Sequence, residues 1–255
     1  MGIFRAAVER LSRGKVLKAH INVQSKSIPI MVSPDAQLKY LKLGRRAFDQ
    51  DLIEIAEAYL NETSHVWDIG ANVGVFTFAS AYIAKKGTVL SVEPDTWLVE
   101  LLRTTADFDE YAKADVNIVP VAVSNKNGVA SFMVASRGRA SNALESAGGR
   151  SQMGGVRELQ CVPTMTLDTL LDSFNVPNFV KIDIEGAELM ALEGAKSLIN
   201  DARPIFYIEV GLDVSEKVLR LFYEANYIAI NLRGEVLTNV CAPNTFFIPQ
   251  EKHVS

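Results

Sequence analysis

The sequence contains few cysteines and histidines, with two Cys and three His among its 255 residues. Cys161 and Cys241 lie far apart and form no C-x-x-C pair, which indicates free thiols in a reducing compartment rather than a disulfide framework. His20, His65 and His253 match no zinc-ligand spacing and no Ser/His/Asp arrangement. The sequence therefore gives no support for thiol, zinc or triad chemistry.

Long apolar runs and an excess of positive charge are also absent. No apolar stretch reaches the roughly 18 residues that indicate a membrane span, and we expect none. Lys and Arg number 26 against 30 Asp and Glu, for a net charge of −4 and a pI of about 5.5. Such a balance provides no general attraction for nucleic acid, which we do not expect as a partner. No secretory signal is recognisable, so we expect a cytoplasmic location.

Residues 1–62 precede the first strand of the main predicted sheet and are expected to form an N-terminal extension of helix, short strand and helix. The strand at 27–32 contains Pro29, which favours an edge position. A helical apolar pattern follows and ends at Asn61. The first helix has one apolar face and is either an amphipathic surface helix or a helix packed on its own domain or on a second subunit, which would give a homo-oligomer. That face comprises Ile3, Phe4, Val8 and Leu11.

From residue 63 onward, apolar strands alternate with helical patterns. Strands separated by helices of about ten or more residues imply right-handed crossovers and a parallel sheet. The predicted fold is α/β, with a Rossmann-like, doubly wound and mostly parallel seven-stranded sheet, and residues 63–255 form its domain. The predicted strands lie at 64–69, 88–93, 116–121, from 179, and at 205–210, 226–231 and 245–249; the first helices lie at 74–85 and 95–112.

The regular alternation stops between residues 124 and 162. A turn signal at 125–128 separates two apolar stretches, 121–124 and 129–134, and predicts an antiparallel hairpin. The next segment, 136–155, is rich in Ser, Gly and Arg and has no apolar period, so we interpret it as a lid-like loop. Its arginines either meet an anionic substrate or are solvated at the surface. These arginines are Arg137, Arg139 and Arg150.

The first strand of the domain ends in an acid and opens into a glycine-containing loop. Asp68 is followed by Gly70, Asn72 and Gly74, and a helical pattern begins directly afterwards. Glycine lacks a Cβ, so the backbone can turn sharply and a ligand can lie against it. The start of the helix offers unpaired N–H groups to an anionic group. The loop lacks the G-x-G core that seats a dinucleotide pyrophosphate.

The second strand of the domain also ends in an acid, Glu93. A carboxylate at this position can accept hydrogen bonds from both hydroxyls of a ribose. Because the carboxyl ends of parallel strands share one edge of the sheet, we expect Glu93 to lie near Asp68. The two motifs together predict a site for a ligand that contains a nucleoside.

Three more acids follow the ends of two later strands: Asp183, Glu185 and Glu209. If they converge, they could serve as a general base, as groups that bind a methyl donor, or as ligands for an oxygen-preferring cation. The competing interpretation is that they cap helices and pair with Lys181 or Arg203. Because the stretch contains no histidine, we predict no metal site.

These motifs together resemble the FkbM-type methyltransferases. The resemblance covers roughly residues 64–210. It is carried by DIGANVG at 68–74, by VEP at 92–94 and above all by KIDIEGAE at 181–188. It implies a class I methyltransferase that uses S-adenosyl-L-methionine as methyl donor and a hydroxyl of a small molecule or glycan as acceptor.

The resemblance also implies roles for individual residues. It assigns the methionine end of the cofactor to Asp68, Gly70, Asn72 and Gly74, the ribose to Glu93, and the adenine to Ala122 and Val123. Asp183 would face the donor methyl group. Some relatives carry a histidine after the acid of the later strand, where this chain has Val210. The general base therefore stays open among the three acids.

Two other functions remain as alternatives at this point. A nicotinamide-dependent oxidoreductase is favoured by Glu93 and disfavoured by the missing G-x-G. A non-catalytic binding protein with a methyltransferase-like fold would also keep these acids. The acceptor is expected to contact residues 1–62 and the 136–155 loop, where the sequence pattern is least informative.

Overall fold

The computed structural model describes residues 11–41, 48–148 and 153–253. Of the predicted first helix, only Leu11 is among them, and its side chain is 73% exposed. The remainder of that prediction, with its suggested role in oligomerisation, lies outside the described residues. Within these ranges, the structure contains no helix with the length and apolar character needed to cross a membrane.

The described chain opens with an antiparallel hairpin of β1 (Leu17–Val23) and β2 (Lys26–Val32). β1 was not predicted, although Leu17, Ala19, Ile21 and Val23 alternate with polar residues as in a half-exposed strand. Pro29 pairs with His20 in this two-stranded sheet, so its predicted edge position is confirmed. The hairpin packs against the helices that follow, in one continuous apolar core.

The main sheet has seven strands in the order β12-β13-β11-β10-β3-β4-β5. β13 runs antiparallel to both neighbours, and all other adjacent pairs are parallel. The predicted Rossmann-like, mostly parallel seven-stranded sheet is therefore confirmed. Its strands are β3 (His65–Ile69), β4 (Thr88–Val92), β5 (Asp115–Val119), β10 (Phe179–Ile182), β11 (Ile205–Glu209), β12 (Tyr227–Ile230) and β13 (Asn244–Pro249).

Helices cover both faces of this sheet. The helix predicted over 95–112 already ends at Ala106, because acidic residues follow it and are unfavourable at the negative end of the helix dipole. Thr166 caps its helix by accepting a hydrogen bond from the Thr169 N–H, as expected for this residue type. The helices are α1 (Gln50–Tyr59), α2 (Val75–Ile83), α3 (Thr96–Ala106), α4 (Leu167–Leu171), α5 (Glu188–Glu193) and α6 (Ser215–Glu224).

The side chains of β3 alternate between the two faces of the sheet, as the pleat of a strand requires. Val66 joins the core beneath the N-terminal hairpin and α2, whereas Trp67 and Ile69 join the core beneath α5 and α6. Asp68 consequently lies on the α2 side, where Thr77 of α2 contacts it. The alternation thus directs one charged side chain into a buried layer.

A second sheet of four strands has the order β6-β9-β7-β8. The predicted hairpin is wrong, because β6 and β7 do not pair with each other. Each pairs with β9, β6 in parallel and β7 antiparallel, and β9 supplies backbone partners along nearly all of β7. β9 was not predicted, because most of its side chains are not buried. The strands are β6 (Ala122–Val123), β7 (Gly128–Ala135), β8 (Ala143–Leu144) and β9 (Val156–Met165).

The segment interpreted as a lid-like loop has local structure of its own. It contains a 3-10 turn at Arg139–Ser141, strand β8 and another 3-10 turn at Glu145–Ala147. Arg137 is exposed, and Arg150 lies outside the described residues. Arg139 is not solvated at the surface, because its side chain is 11% exposed and forms ion pairs with two carboxylates. For the described part of the segment, the absence of an apolar period did not mean the absence of order.

Candidate active site

A cleft lies beyond the carboxyl ends of β3, β4 and β10 and measures about 880 Å³ including its open mouth. The predicted site residues in its lining are Gly70, Asn72, Glu93, Ala122, Val123, Asp183 and Glu185. The predicted site residues that do not line it are Asp68, Gly74 and Glu209. Most of the predicted set therefore shares one cavity.

The loop after β3 lies directly against the end of β10, and Gly70 makes this approach possible. Gly70 has φ +80°, and a Cβ built on it would lie 1.9 Å from the backbone oxygen of Asp183. The Asp183 N–H donates a hydrogen bond of 3.0 Å to the Ile69 carbonyl. Any larger residue at position 70 would push the cleft wall away from β10.

Gly74 lies behind the cleft wall. It has φ +88°, and a Cβ there would approach Leu102 Cδ2 and Phe78 Cε2 to 2.6 Å. Gly74 therefore allows α2 to pack closely against α3. Gly74 is absent from the cleft lining, and its assignment to the cofactor stays a prediction.

Asp68 lies beneath the cleft and is 0% exposed. Its Oδ2 accepts a hydrogen bond of 2.6 Å from Thr77 Oγ1, and its Oδ1 is 3.1 Å from Lys181 Nζ. Lys181 also donates to the Gly70 carbonyl at 2.8 Å. Asp68 thus supports the cleft wall through Lys181 instead of forming its surface.

Lys181 is a buried cation that sequence analysis considered only as an ion-pair partner. Burial alone lowers its pKa, but the carboxylates of Asp68 and Asp183 outweigh burial, and its pKa is raised overall. Lys181 is paired in register with Asp68 of the neighbouring strand. The sequence signal for this ion pair is a lysine inside an otherwise apolar strand, because a buried ammonium needs a charged partner.

Glu93 is held by two backbone N–H groups. Its Oε2 accepts from the Asn72 N–H and its Oε1 from the Asp95 N–H, each at 2.9 Å. The side chain is 5% exposed, and burial, reinforced by the charge of Asp95, raises the pKa of Glu93 to about 7. The two N–H bonds and Lys181 act in the opposite direction. Glu93 is therefore a fixed carboxyl group that titrates near neutral pH.

The cleft wall fits a nucleoside that carries an amino-acid group. Asn72 adopts φ +54° and lines the cleft, and no donor among the described residues contacts its buried Oδ1. An unpaired buried acceptor suits a ligand ammonium or hydroxyl, since leaving it unpaired costs free energy. Glu93 offers acceptors to ribose hydroxyls. Ala122 and Val123 provide an apolar surface for a base.

Two of the three predicted catalytic acids meet in the cleft. Asp183 is 39% exposed at its side chain, and its Oδ2 is 3.8 Å from Lys181 Nζ. Glu185 lines the same cavity from a turn with φ +50°. Glu209 ends β11 outside the lining. The alternative of ion pairing applies to Asp183 and Lys181, whereas Arg203 pairs with Glu251, away from these acids.

Metal coordination finds no support in the arrangement of these acids. Within ranges 11–41, 48–148 and 153–253, no group of three or more His, Cys, Asp and Glu side chains is placed to hold a metal ion.

The N-terminal part of the chain also contributes to the cleft. Its lining includes four residues that precede the main sheet in sequence: Gln37, Tyr40, Asp49 and Leu52. We call these four residues the N-terminal wall. Two are polar, one is an acid whose side chain is 53% exposed, and one is aliphatic, so the wall combines hydrogen-bonding and apolar groups.

The sheet order and the cleft at the carboxyl ends of β3 and β4 define a class I, Rossmann-like methyltransferase fold. The family model described as the methyltransferase FkbM domain matches residues 68–229, which is more than half of the chain. The chain therefore belongs to the FkbM methyltransferase family.

One curated protein and two solved structures illustrate what the chain is similar to. The hexuronic acid methyltransferase AglP of Haloferax volcanii is 26% identical over 185 residues, or 69% of each chain. Methyltransferase FkbM from Methylobacillus flagellatus KT is 17% identical with a TM-score of 0.46; the match covers 74% of this chain but only 44% of that one. A SAM-dependent O-methyltransferase of Thermotoga maritima is 12% identical with a TM-score of 0.41, and 90% and 76% of the chains are covered.

Proposed function

We propose that this protein is an S-adenosyl-L-methionine-dependent O-methyltransferase that methylates a hydroxyl of a sugar or related small molecule. One observation carries the proposal: a single cleft contains Glu93, held by two backbone N–H groups, and Asp183, next to the Lys181 ammonium. The first is suited to a ribose and the second to a reacting hydroxyl. The sugar class is supported by the name of the curated relative, which is described as acting on a hexuronic acid.

The cofactor would be held by residues of the main domain. Glu93 would accept from its ribose hydroxyls, Asn72 Oδ1 from its amino group, and Ala122 and Val123 would contact its base. When bound, this group supplies a methyl on a sulfonium, and its transfer to a hydroxyl oxygen releases one proton and leaves S-adenosylhomocysteine. Asp68 acts indirectly, because its buried charge holds Lys181 against the Gly70 carbonyl.

Asp183 would take the proton from the acceptor hydroxyl. It is a partly exposed carboxylate of the cleft, and its Oδ2 lies 3.8 Å from Lys181 Nζ. The N-terminal wall would contact the remaining hydroxyls of the acceptor and exclude water from the reacting oxygen. Orientation and exclusion of water are the contributions that this type of transfer needs most.

Calorimetric titration with S-adenosylhomocysteine, with NAD as the comparison ligand, tests the cofactor. We expect saturable binding of the thioether and no binding of NAD. Because the ionised Glu93 accepts the ribose hydroxyls, affinity should rise as pH increases through about 7 and fall on the acid side. Turnover is then measured with labelled S-adenosylmethionine and a panel of neutral sugars, hexuronic acids and other hydroxyl compounds.

Other outcomes of the same titration separate the alternatives. Binding of NAD without S-adenosylhomocysteine would favour the oxidoreductase and contradict the proposal. Binding of the thioether with no turnover of any acceptor by the full chain would favour a non-catalytic binding protein.

Asp183→Asn should lower kcat by about 10²–10⁴, the usual contribution of a general base. The affinity for S-adenosylhomocysteine should stay within about twofold of wild type, because the amide keeps the shape of the side chain. Asp213→Asn is the matched control, since Asp213 lies on an exposed turn after β11. Unchanged kcat in Asp183→Asn would remove Asp183 as the base and direct attention to Glu185.

A further inference from the structure

Four charged side chains form a continuous ion-pair cluster, and one of them, Arg139, lines the cleft. Arg139 Nε is 3.2 Å from Asp35 Oδ2, and Arg139 Nη1 donates to Asp95 Oδ2. Arg157 Nη1 lies 2.9 Å from Asp35 Oδ1. The side chains of the two acids are 6% and 0% exposed and that of Arg139 is 11% exposed. We call this group the Arg139 cluster.

The Arg139 cluster reaches Glu93 through Asp95. The backbone N–H of Asp95 donates to Glu93 Oε1 at 2.9 Å, while Asp95 Oδ1 accepts from the Trp97 N–H at 3.0 Å and caps α3. The Arg139 guanidinium also lies over the Trp97 ring, 4.8 Å from its centroid. A change at Arg139 therefore acts through Asp95 on the carboxyl group of Glu93, which faces the proposed ribose site.

The same cluster also contacts the N-terminal part of the chain. Asp35 lies in the turn after β2, two residues before Gln37 of the N-terminal wall, and the Arg139 N–H donates to the Asp35 carbonyl at 2.9 Å. Arg139 itself lines the cleft beside Asn142. One guanidinium thus links the N-terminal segment to the loop that holds Glu93.

We propose that Arg139 is a positioning residue for the cofactor ribose: by pairing with Asp95 it holds the backbone that fixes the Glu93 carboxylate. The inference rests on the proposed function, because the ribose belongs to the proposed cofactor. When residues 136–155 were interpreted as a lid-like loop, Arg139 had no predicted role in holding the cofactor.

Electrostatics gives this role a specific signature. The charges facing Glu93 are those of Asp95, which raises its pKa, and Lys181, which lowers it, together with the N–H groups of Asn72 and Asp95. Asp95 is itself neutralised by Arg139, with further bonds from Asn142 Nδ2 and the Trp97 N–H. Without Arg139, the buried charge of Asp95 would act on Glu93 uncompensated and raise its pKa further.

The experiment is titration with S-adenosylhomocysteine from about pH 5.5 to about pH 9 for wild type, Arg139→Met and Asp95→Asn. In Arg139→Met the midpoint of the pH dependence should rise by about one pH unit, which lowers affinity near pH 7 about fivefold. In Asp95→Asn the midpoint should fall, because the charge that opposes ionisation of Glu93 is removed. A role in packing alone would weaken binding without moving the two midpoints in opposite directions.

Arg103→Met is the control, because Arg103 pairs with Glu100 on the exposed face of α3 and lies outside the Arg139 cluster. Its affinity and midpoint should match those of wild type. A wild-type midpoint in a folded Arg139→Met protein would overturn the inference. If Arg139→Met does not fold, Asp95→Asn decides: a lower midpoint supports the inference and an unchanged or higher one overturns it. Absence of binding by wild type overturns the proposed cofactor, and this inference with it.

Discussion

Lys181→Met should destabilise the protein by about 3–5 kcal/mol, the cost of removing one partner from a buried ion pair. Asp68 is 0% exposed, and Lys181 Nζ is the cation beside its Oδ1, at 3.1 Å. Without it, the Asp68 carboxylate keeps the Thr77 hydroxyl bond but stays buried with an uncompensated charge. The free energy of unfolding in urea measures the loss. Binding of S-adenosylhomocysteine should weaken as well, because Lys181 also holds the Gly70 carbonyl.

Two variants check the physical reason for this loss. Lys85→Met breaks a pair with Glu62 on the surface, where both side chains are more than 40% exposed, and should have a much smaller effect. Adding Asp68→Asn to Lys181→Met should recover part of the lost stability, since it removes the buried charge. If Lys181→Met loses no more than Lys85→Met, the pair does not hold the two strands as the structure indicates.

The parallel sheet could be predicted because its signals are local. Four of its strands, β3, β4, β10 and β11, are apolar runs with an acid at or next to their carboxyl ends, and the helices after β3 and β4 show a helical apolar period. Since Asp68 and Glu93 end consecutive strands, their placement at one edge of the sheet follows from topology alone. The three acids of the later strands converge only in part. Asp183 and Glu185 follow β10 and line the cleft, whereas Glu209 ends β11, one strand beyond β10, and lies outside the lining.

The second sheet and the Arg139 cluster could not be predicted in the same way. β9 is half-exposed, so its sequence pattern resembles that of a polar loop, and only its pairing with β7 in the structure identifies it as a strand. Arg139 and Asp35 are separated by 104 residues, and no local pattern indicates which of many charges an arginine meets. An ion pair of Lys181 was easier to predict, because a buried charge inside an apolar strand requires a partner of opposite charge. Here that partner is Asp68 on the adjacent strand.

Gly70→Ala should destabilise the protein by about 2–5 kcal/mol, the sum of left-handed backbone strain and overpacking. The new Cβ would lie 1.9 Å from the backbone oxygen of Asp183, and a backbone atom cannot move aside as a flexible side chain can. The loop must therefore shift away from β10, which displaces both the Asn72 side of the cleft and Asp183. Titration should show affinity for S-adenosylhomocysteine reduced by at least about tenfold.

The control for this prediction is Gly234→Ala, which separates strain from steric conflict. Gly234 has φ +79°, nearly the same as Gly70, but a Cβ there meets no atom within 4 Å. Its alanine variant should lose about 1 kcal/mol from the backbone conformation and bind S-adenosylhomocysteine as wild type does. The difference between the two variants then reports the contact between the loop after β3 and the end of β10. Equal losses in stability and binding would contradict that contact and the shape of the cleft that depends on it.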